Sequence, residues 1–273
     1  MNNSLSKKED KMRNFVALFT VISLLQISVA SYSGISQHRL PNENFQHALD
    51  RSKESLSHHK KLMLRSKDTP VGKKVPVKEI DYSKVPVIIN YQELVHMYQL
   101  IRDTRFLYLN ENPDFARRIS WLYPDDGCFA RAALSGMKLT NEQLIRPVKI
   151  FAFGNLVVQT PYASAGSVSW WYHVALVLNY MGAYYVLDPA LNNQTPLLAE
   201  DWFQMMGNAD NLKGTVCNAY AYDPFDDCFK ATDKSDVKAQ KDQLIYLKKE
   251  WNRMNYLGFD PKVVLGTNPP WMP

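Results

Sequence analysis

The strongest constraint on the fold is a change in hydrophobic periodicity near residue 147. Before this point, apolar residues recur at intervals of three and four, which predicts helices that bury one face. The clearest set is Leu94, Met97, Tyr98 and Ile101. After this point, short apolar runs rich in β-branched and aromatic residues predict strands. Because helices come first and strands follow, the sequence predicts an α+β fold with helices followed by an antiparallel β-sheet.

The ends of the predicted helices carry local signals. Asn90 and Glu93 form a capping-box pattern at the start of the first helix. A second helix is predicted to begin at Cys128, and Gly136 with a loop at Thr140-Asn141 marks its end. The later predicted elements are strands at 148–153, 156–158, 171–179 and 183–187, a helix at 199–206 and an amphipathic helix within 232–253.

The first thirty residues have the three parts of a secretory signal. Basic residues precede an apolar run from Phe15 to Ala30, and Ser28-Val29-Ala30 places small residues at a cleavage site. The run is short for a membrane span and contains polar residues, which favours a cleaved signal over an anchor. We therefore expect residues 1–30 to be a signal peptide, starting at Met1 or Met12. The mature protein is expected to be secreted or periplasmic, with no stable membrane span.

Residues 31–82 differ from the chain that follows them. They contain four of the six histidines, many Lys and Arg residues, and too few large apolar side chains to form a core. They are predicted to be a linker or a removable pro-segment. The compact domain is predicted to span residues 83–273.

The three cysteines are predicted to have different roles. An exported protein meets an oxidising environment, where disulfides form. Cys217 and Cys228 lie eleven residues apart and are predicted to pair, which leaves Cys128 as a free thiol.

Cys128 follows Asp125-Asp126-Gly127 and is predicted to open a helix that one of the two aspartates caps. The positive end of a helix dipole and the free backbone N–H groups stabilise a thiolate. The same amides are suited to form half of an oxyanion hole. The alternative is a buried structural cysteine, which is the commoner role of a lone cysteine.

His173 lies on a predicted strand among aromatic residues, and a hairpin connects it to Asp188. If residues 179–182 form a four-residue loop, Leu178 pairs with Ala183 and His173 lies opposite Asp188. The carboxylate is then placed to orient the imidazole. A slip of one residue would put the two on opposite faces. The alternatives are a hydrogen-bonded core histidine and an aspartate that only ends its strand.

Three sequence blocks resemble those of the bacterial protein-glutamine glutaminases. Tyr123–Ala132 resembles the nucleophile motif of that family. Phe153–Leu156 together with Val168–Ala175 resembles its histidine block, and Leu187–Leu191 resembles its aspartate block. The blocks occur in the family's order, and the resemblance covers about residues 85–210.

The resemblance implies a transglutaminase-like (papain-like) core that hydrolyses glutamine side-chain amides in proteins to glutamate and ammonia. It implies a triad of Cys128 as nucleophile, His173 as acid and base, and Asp188 as the residue that orients His173, acting through a thioester. It implies no metal and no organic cofactor. It also implies a pro-segment that covers the cleft, a role for residues 31–82, and a catalytic domain at 83–273.

Candidate substrate-binding residues lie beside the proposed triad in the sequence. The aromatic ones are placed to wall a slot for the glutamine stem, although ordinary core packing is their alternative role. Asn155 is a candidate polar donor, or a turn residue after Gly154. The full set is Asn155, Ser169, Trp170, Trp171 and Tyr172.

Four other functions remain open from the sequence. A transglutaminase uses the same triad with an amine as acceptor, and a cysteine peptidase uses it to cleave the main chain. A third possibility is an exported binding protein with a relict site, and a fourth is an effector that deamidates one specific host protein. The expected partners are proteins with exposed glutamines. The net charge of +5 is mild and gives little reason to expect nucleic-acid binding.

Overall fold

In the computed structural model, the described residues are His47, Asp50 and residues 74–224, 226–230 and 234–272. The predicted signal peptide and almost all of residues 31–73 lie outside this set. Within the described ranges, no helix has both the length and the apolar character needed to cross a membrane.

Within residues 74–272, leaving aside the gaps, four α-helices form near their predicted positions. The second one runs through Gly136 to Asn141, so the loop predicted at Thr140-Asn141 is wrong. The side chain of Asn90 accepts a hydrogen bond from the Gln92 amide at 2.8 Å, so the predicted cap of the first helix is confirmed. That helix buries its predicted apolar stripe because these residues repeat on one face. The helices are α1 (Tyr91–Asp103), α2 (Cys128–Asn141), α3 (Ala199–Gln204) and α4 (Lys234–Tyr256).

The described strands form one large sheet and one small hairpin. The large sheet has the order β1-β9-β5-β6-β7-β8, with β2 added beside β6 in the parallel sense. All its other pairings are antiparallel, so the predicted α+β class with an antiparallel sheet is confirmed. The strands are β1 (Val75–Pro76), β2 (Val87–Ile88), β3 (Leu107–Leu109), β4 (Asn112–Arg117), β5 (Val148–Gln159), β6 (Ser167–Tyr180), β7 (Ala183–Leu187), β8 (Leu197–Leu198) and β9 (Lys213–Cys217).

Strand β5 joins two strands that the sequence predicts separately. The pairing of β5 with β6 shifts between Phe153 and Leu156, which marks a β-bulge. Gly154 lies in the bulge with a φ of 146°, a conformation open mainly to glycine. The glycine therefore bends a continuous strand and does not end it.

The two faces of the sheet bury different helices. Phe151, Phe153 and Val174 pack on one face against α1, α2 and α4. Ile150 and Ala175 pack on the other face, against Trp202 and Phe203 of α3. Successive strand residues point to opposite faces, so one strand supplies both cores.

Residues 74–82, which the sequence places in the pro-segment or linker, pack against the sheet. Val75 of β1 pairs with Gly214 of β9. Ile80 is buried, and its side chain lies so close to Gly214 that a Cβ there would be 2.5 Å from Ile80 Cδ1. This stretch therefore contributes to the core beneath α3.

Candidate active site

Cys128 is the first residue of α2 and is 8% exposed. Cys217 and Cys228 are joined by a disulfide, which leaves Cys128 as the free thiol among the three cysteines of the chain. Both observations agree with what the sequence predicts. The sulfur therefore lies at the positive end of the α2 dipole.

The predicted aspartate cap of α2 is wrong. The N-cap residue is Gly127, with a φ of 91° in the left-handed region, and it has no side chain to accept from the first turn. Asp126 accepts from the Gly127 amide at 2.7 Å, and Asp125 forms an ion pair with Arg253. Neither carboxylate therefore caps the helix.

Gly127 also packs against the aromatic ring of Tyr246. A Cβ at this position would lie 2.8 Å from the Tyr246 ring of α4. Only glycine can combine this close approach with a positive φ without strain. The backbone immediately before Cys128 is therefore fixed by packing against α4.

His173 and Asp188 form a buried hydrogen-bonded pair. His173 Nε2 lies 2.7 Å from Asp188 Oδ2, and the two residues are 1% and 4% exposed. The carboxylate is itself oriented by two donors. Trp202 Nε1 donates to Oδ2 at 2.9 Å, and the Ala190 amide donates to Oδ1 at 3.2 Å. Asp188 is thus fixed from three directions and in turn fixes the imidazole ring.

The pair favours a charged imidazole. Burial lowers the pKa of His173, but the charge and hydrogen bond of Asp188, aided by Cys128, outweigh burial and raise it to about 9. Burial raises the pKa of Asp188, but His173 and Trp202 outweigh it and leave that pKa below its ordinary value. The site therefore stabilises an imidazolium beside a carboxylate.

The ring nitrogen that remains for Cys128 is Nδ1. Cys128 lies close enough to raise the pKa of His173 through hydrogen bonding and charge. Among the described residues, however, Nδ1 has no hydrogen bond of normal geometry. Since Nε2 is taken by Asp188, Nδ1 is the ring nitrogen that can interact with Cys128. Catalytic hydrogen bonds in enzymes without bound substrate are often long in this way.

The register of the β6–β7 hairpin differs from the predicted one by two residues. Leu178 pairs with Tyr185 and not with Ala183, because the loop contains only Met181 and Gly182. Both loop residues have positive φ, as a tight hairpin turn requires. His173 is therefore diagonal to Asp188 and not directly opposite it.

A slip of two residues keeps every side chain on its original face, because the strand repeat is two. Diagonal neighbours lie about 7–8 Å apart at Cα, within reach of a histidine and an aspartate that point toward each other. The sequence therefore predicts the meeting of His173 and Asp188 correctly from a pairing that is wrong.

Trp170 packs its indole ring against the face of the His173 ring. The two rings stack with centroids 4.8 Å apart and an angle of 13°. The indole Nε1 donates to Pro124 O at 2.9 Å, which ties the ring to the segment before Cys128. Trp170 is buried in this position. These contacts indicate a bracing role for a residue that the sequence places in the substrate slot.

The other four candidate substrate-binding residues are spread over different surroundings. Tyr172 lies near the site, since burial and the charge of Cys128 raise its pKa well above the ordinary value. Trp171 is partly buried and packs on Tyr172 with ring centroids 4.5 Å apart. Ser169 is partly buried on β6, and Asn155 is exposed in the β5 bulge. Of this set, Trp170 contacts the His173 ring and Tyr172 lies near Cys128.

Two contributing residues carry no local signal that links them to the site. Trp202 lies in the predicted helix at 199–206, but nothing in the sequence connects its indole with Asp188. Arg131 lies one turn after Cys128 and is 2% exposed. Its Nη1 donates to Tyr123 O at 3.0 Å and to Asp126 O at 2.8 Å. A charged residue within an otherwise apolar helix face is the only hint that the sequence offers for Arg131.

Comparison with known proteins gives one family match and several similar structures. Residues 94–206 match the family model Gln_deamidase_2, described as Glutaminase. This range contains all three motif blocks, so the predicted family resemblance is confirmed. A search of curated protein sequences finds no match.

The similar solved structures share about a fifth of their residues with this chain. The NMR structure of protein-glutaminase from Chryseobacterium proteolyticum is 23% identical, with 56% of this chain and 85% of that chain covered and a TM-score of 0.45. A crystal structure of pro-protein-glutaminase is 21% identical, with coverages of 70% and 67% and a TM-score of 0.47. A crystal structure of protein-glutaminase is 20% identical, with coverages of 67% and 92% and a TM-score of 0.42.

Proposed function

We propose that this chain, whose residues 94–206 carry the signature of a glutaminase family, is a protein-glutamine glutaminase that acts through Cys128, His173 and Asp188. The family indicates a hydrolase of glutamine amides in proteins. The observation that carries the triad is the 2.7 Å contact between His173 and Asp188 beside a free cysteine that opens a helix.

The proposed first half-reaction transfers the acyl group to sulfur. Nδ1 of His173 takes the Cys128 proton, and the thiolate attacks the side-chain carboxamide carbon of a glutamine. The oxyanion forms near the N-terminal amides of α2, whose partial positive charge stabilises it. His173 then donates its proton to the leaving nitrogen, the C–N bond breaks, and ammonia departs from a thioester.

The second half-reaction restores the enzyme. His173 removes a proton from water as the water oxygen attacks the thioester carbonyl. The C–S bond breaks, glutamate is released, and the thiolate regains its partner imidazolium. Asp188 stays ionised throughout, orients the ring and stabilises its positive charge. Its hydrogen bonds from Trp202 and Ala190 hold it in that role.

We further propose that residues 1–30 direct export and that the segment after them, up to about residue 73, is a removable pro-segment. The basic and apolar pattern at the N-terminus supports the first part. The sparse apolar content of the segment supports the second. The boundary is placed near residue 74 because residues 75–80 pair and pack with the sheet.

The test of the proposed activity is ammonia release from a casein-type protein compared with release from free glutamine. We expect ammonia from the protein, a product whose main chain is intact and whose mass reflects replacement of NH₂ by OH, and no activity in Cys128→Ala. A fragmented product would identify a peptidase. Preferred incorporation of a labelled amine would identify a transglutaminase. Equal behaviour of the wild type and Cys128→Ala would remove the enzymatic proposal.

A further inference from the structure

The segment that presents Cys128 has no regular structure of its own. Residues 119–127, here called the nucleophile loop, lie between β4 and α2 and contain neither helix nor strand. Most of the loop is buried, including Leu122 and Tyr123. Buried backbone groups in an irregular segment need partners from elsewhere in the fold. The position of the sulfur therefore depends on what holds this loop.

One face of α4 provides three side chains that contact this loop. Tyr246, Glu250 and Arg253 are spaced at i, i+4 and i+7, so they lie along one stripe of the helix. The Tyr246 ring packs against Gly127. Glu250 Oε1 accepts from the Leu122 amide at 2.8 Å. The stripe therefore contacts the loop in its middle and at the end next to Cys128.

Arg253 joins the nucleophile loop to a second loop. Its guanidinium forms an ion pair with Asp125, including an Nη1–Oδ1 contact of 3.4 Å. The same Nη1 donates to Tyr162 O at 2.7 Å. Tyr162 lies in the connection between β5 and β6, and β6 carries His173. One side chain thus links the backbone before the nucleophile to the strand that carries the base.

Glu250 is less suited to a functional test than Arg253. It is buried with Arg117 in an ion pair of 2.5 Å. Removing one partner of a buried ion pair leaves the other charge buried and uncompensated, which threatens folding itself. The side chains of Arg253 and Asp125 are 12% and 24% exposed, so their variants retain some access to water. We therefore focus on Arg253.

We propose that Arg253 is a positioning residue that holds the nucleophile loop in the conformation in which Cys128 meets His173. Arg253 lies on α4, outside the residues 94–206 that match the family model. The family match therefore does not cover this role. Asp125 is three residues from Cys128, and Arg253 and Tyr246 restrain this short segment together. A displacement of Asp125 is therefore passed to the sulfur. A misplacement of about 1 Å in an active site lowers rates about 100-fold.

The experiment compares four variants in the full-length chain and in the processed protein. Arg253→Gln removes both contacts, Arg253→Lys keeps the charge but cannot span both partners, and Asp125→Asn removes the ion pair from the other side. Lys248→Gln is the matched control, because Lys248 is on the same helix and pairs with Glu111 at the surface at 2.5 Å. Melting temperatures establish that each variant is folded at the assay temperature.

The first readout is alkylation of Cys128 by iodoacetamide across pH. It is specific because the other two cysteines form a disulfide. We expect Arg253→Gln to alter the pH profile of alkylation, with a rate change of about tenfold at neutral pH, and Arg253→Lys to recover part of it. Lys248→Gln should match the wild type.

The second readout is the kinetics of ammonia release, and it alone rests on the proposed function. We expect kcat to fall about 10- to 100-fold in Arg253→Gln with KM within about threefold, because the loss is in the alignment of the reacting atoms. If folded Arg253→Gln and Asp125→Asn both keep the wild-type alkylation profile, the positioning role is wrong. If alkylation responds as expected but the wild type releases no ammonia, the proposed function fails while the positioning role stands.

Discussion

His173 and Asp188 make a 2.7 Å hydrogen bond although the hairpin register places them diagonally and not directly opposite each other. The pair is closed off from water, and Trp170 and Trp202 lie beside it. A carboxylate in such surroundings is held rigidly and interacts strongly with a nearby charge. Most of the functional expectations for this protein follow from that one contact.

The first prediction concerns the carboxylate. Asp188→Asn should lower kcat by about 10²- to 10⁴-fold, because an amide cannot stabilise the imidazolium or enforce the same tautomer. The measurement is the rate of ammonia release at saturating protein substrate. Asp201→Asn is the control, since Asp201 is exposed on α3 beside Trp202 and should leave kcat unchanged. A full rate in Asp188→Asn would remove Asp188 from the mechanism.

The second prediction concerns the pH dependence of stability. The pKa of His173 is raised from 6.5 in the unfolded chain to about 9 in the folded one. The contribution of His173 to the free energy of unfolding is therefore fully present below about pH 6.5 and is lost as the pH rises toward 9. At about 1.4 kcal/mol per pKa unit, the contribution is at most about 3 kcal/mol.

Urea unfolding of the wild type and of His173→Gln at a series of pH values measures this contribution. We expect the stability difference between the two to be largest near the acidic end of this window and to shrink above it. His96→Gln controls for loss of a histidine, because His96 is exposed on α1. A difference that grows with pH would contradict the raised pKa.

The third prediction separates bracing from substrate binding at Trp170. Trp170→Phe keeps an aromatic face against His173 but removes the indole N–H that donates to Pro124 O. The orphaned buried carbonyl should cost about 1–3 kcal/mol of stability. We expect kcat to fall while KM stays close to that of the wild type. A rise in KM with unchanged kcat would instead assign Trp170 to the substrate slot.

The fourth prediction uses two glycines with similar backbone angles. Gly127 and Gly182 have φ values of 91° and 85°, but a Cβ at Gly127 would meet the Tyr246 ring whereas one at Gly182 meets nothing within 4 Å. Gly182→Ala should therefore cost only the left-handed strain, about 1–2 kcal/mol. Gly127→Ala should cost more and should also reduce the reactivity of Cys128.

Chemical denaturation gives the two free energies of unfolding, and alkylation gives the thiol reactivity. The difference between the two variants isolates the contact with Tyr246, since the backbone strain is common to both. Equal stabilities and equal thiol reactivity would show that the ring does not constrain the start of α2.

The fifth prediction locates the start of the folded domain. A chain that begins at residue 74 should be more stable than one that begins at residue 83, because the longer form retains β1 and the buried Ile80. Burial of the isoleucine side chain alone contributes about 1.5–3 kcal/mol. Ile80→Ala in the longer form should reproduce much of the loss. Equal urea midpoints for the two truncated chains would place the boundary near residue 83.

Local sequence signals were sufficient to predict most of the helices and strands and to name the residues of the candidate site. The spacing of Leu94 and Ile101, the cap at Asn90 and the β-branched runs after residue 147 each report burial and backbone preference over a few residues. The motif around Cys128 places a thiol at the start of a helix in the same local way. The family match at residues 94–206 spans the three motif blocks.

The tertiary structure determined the register of the hairpin and the contacts that position the residues of the candidate site. The turn at Met181 requires a positive φ in a residue that is not glycine, so the loop length and the two-residue shift in register could not be deduced from composition. Trp202 reaches Asp188, and Arg253 reaches Asp125, across sequence separations that no periodicity records. Periodicity encodes which face of an element is buried, whereas the partner that buries it depends on how the whole chain packs. The sequence alone therefore determined which residues form the candidate site, and the packing of α3 and α4 determined how those residues are held.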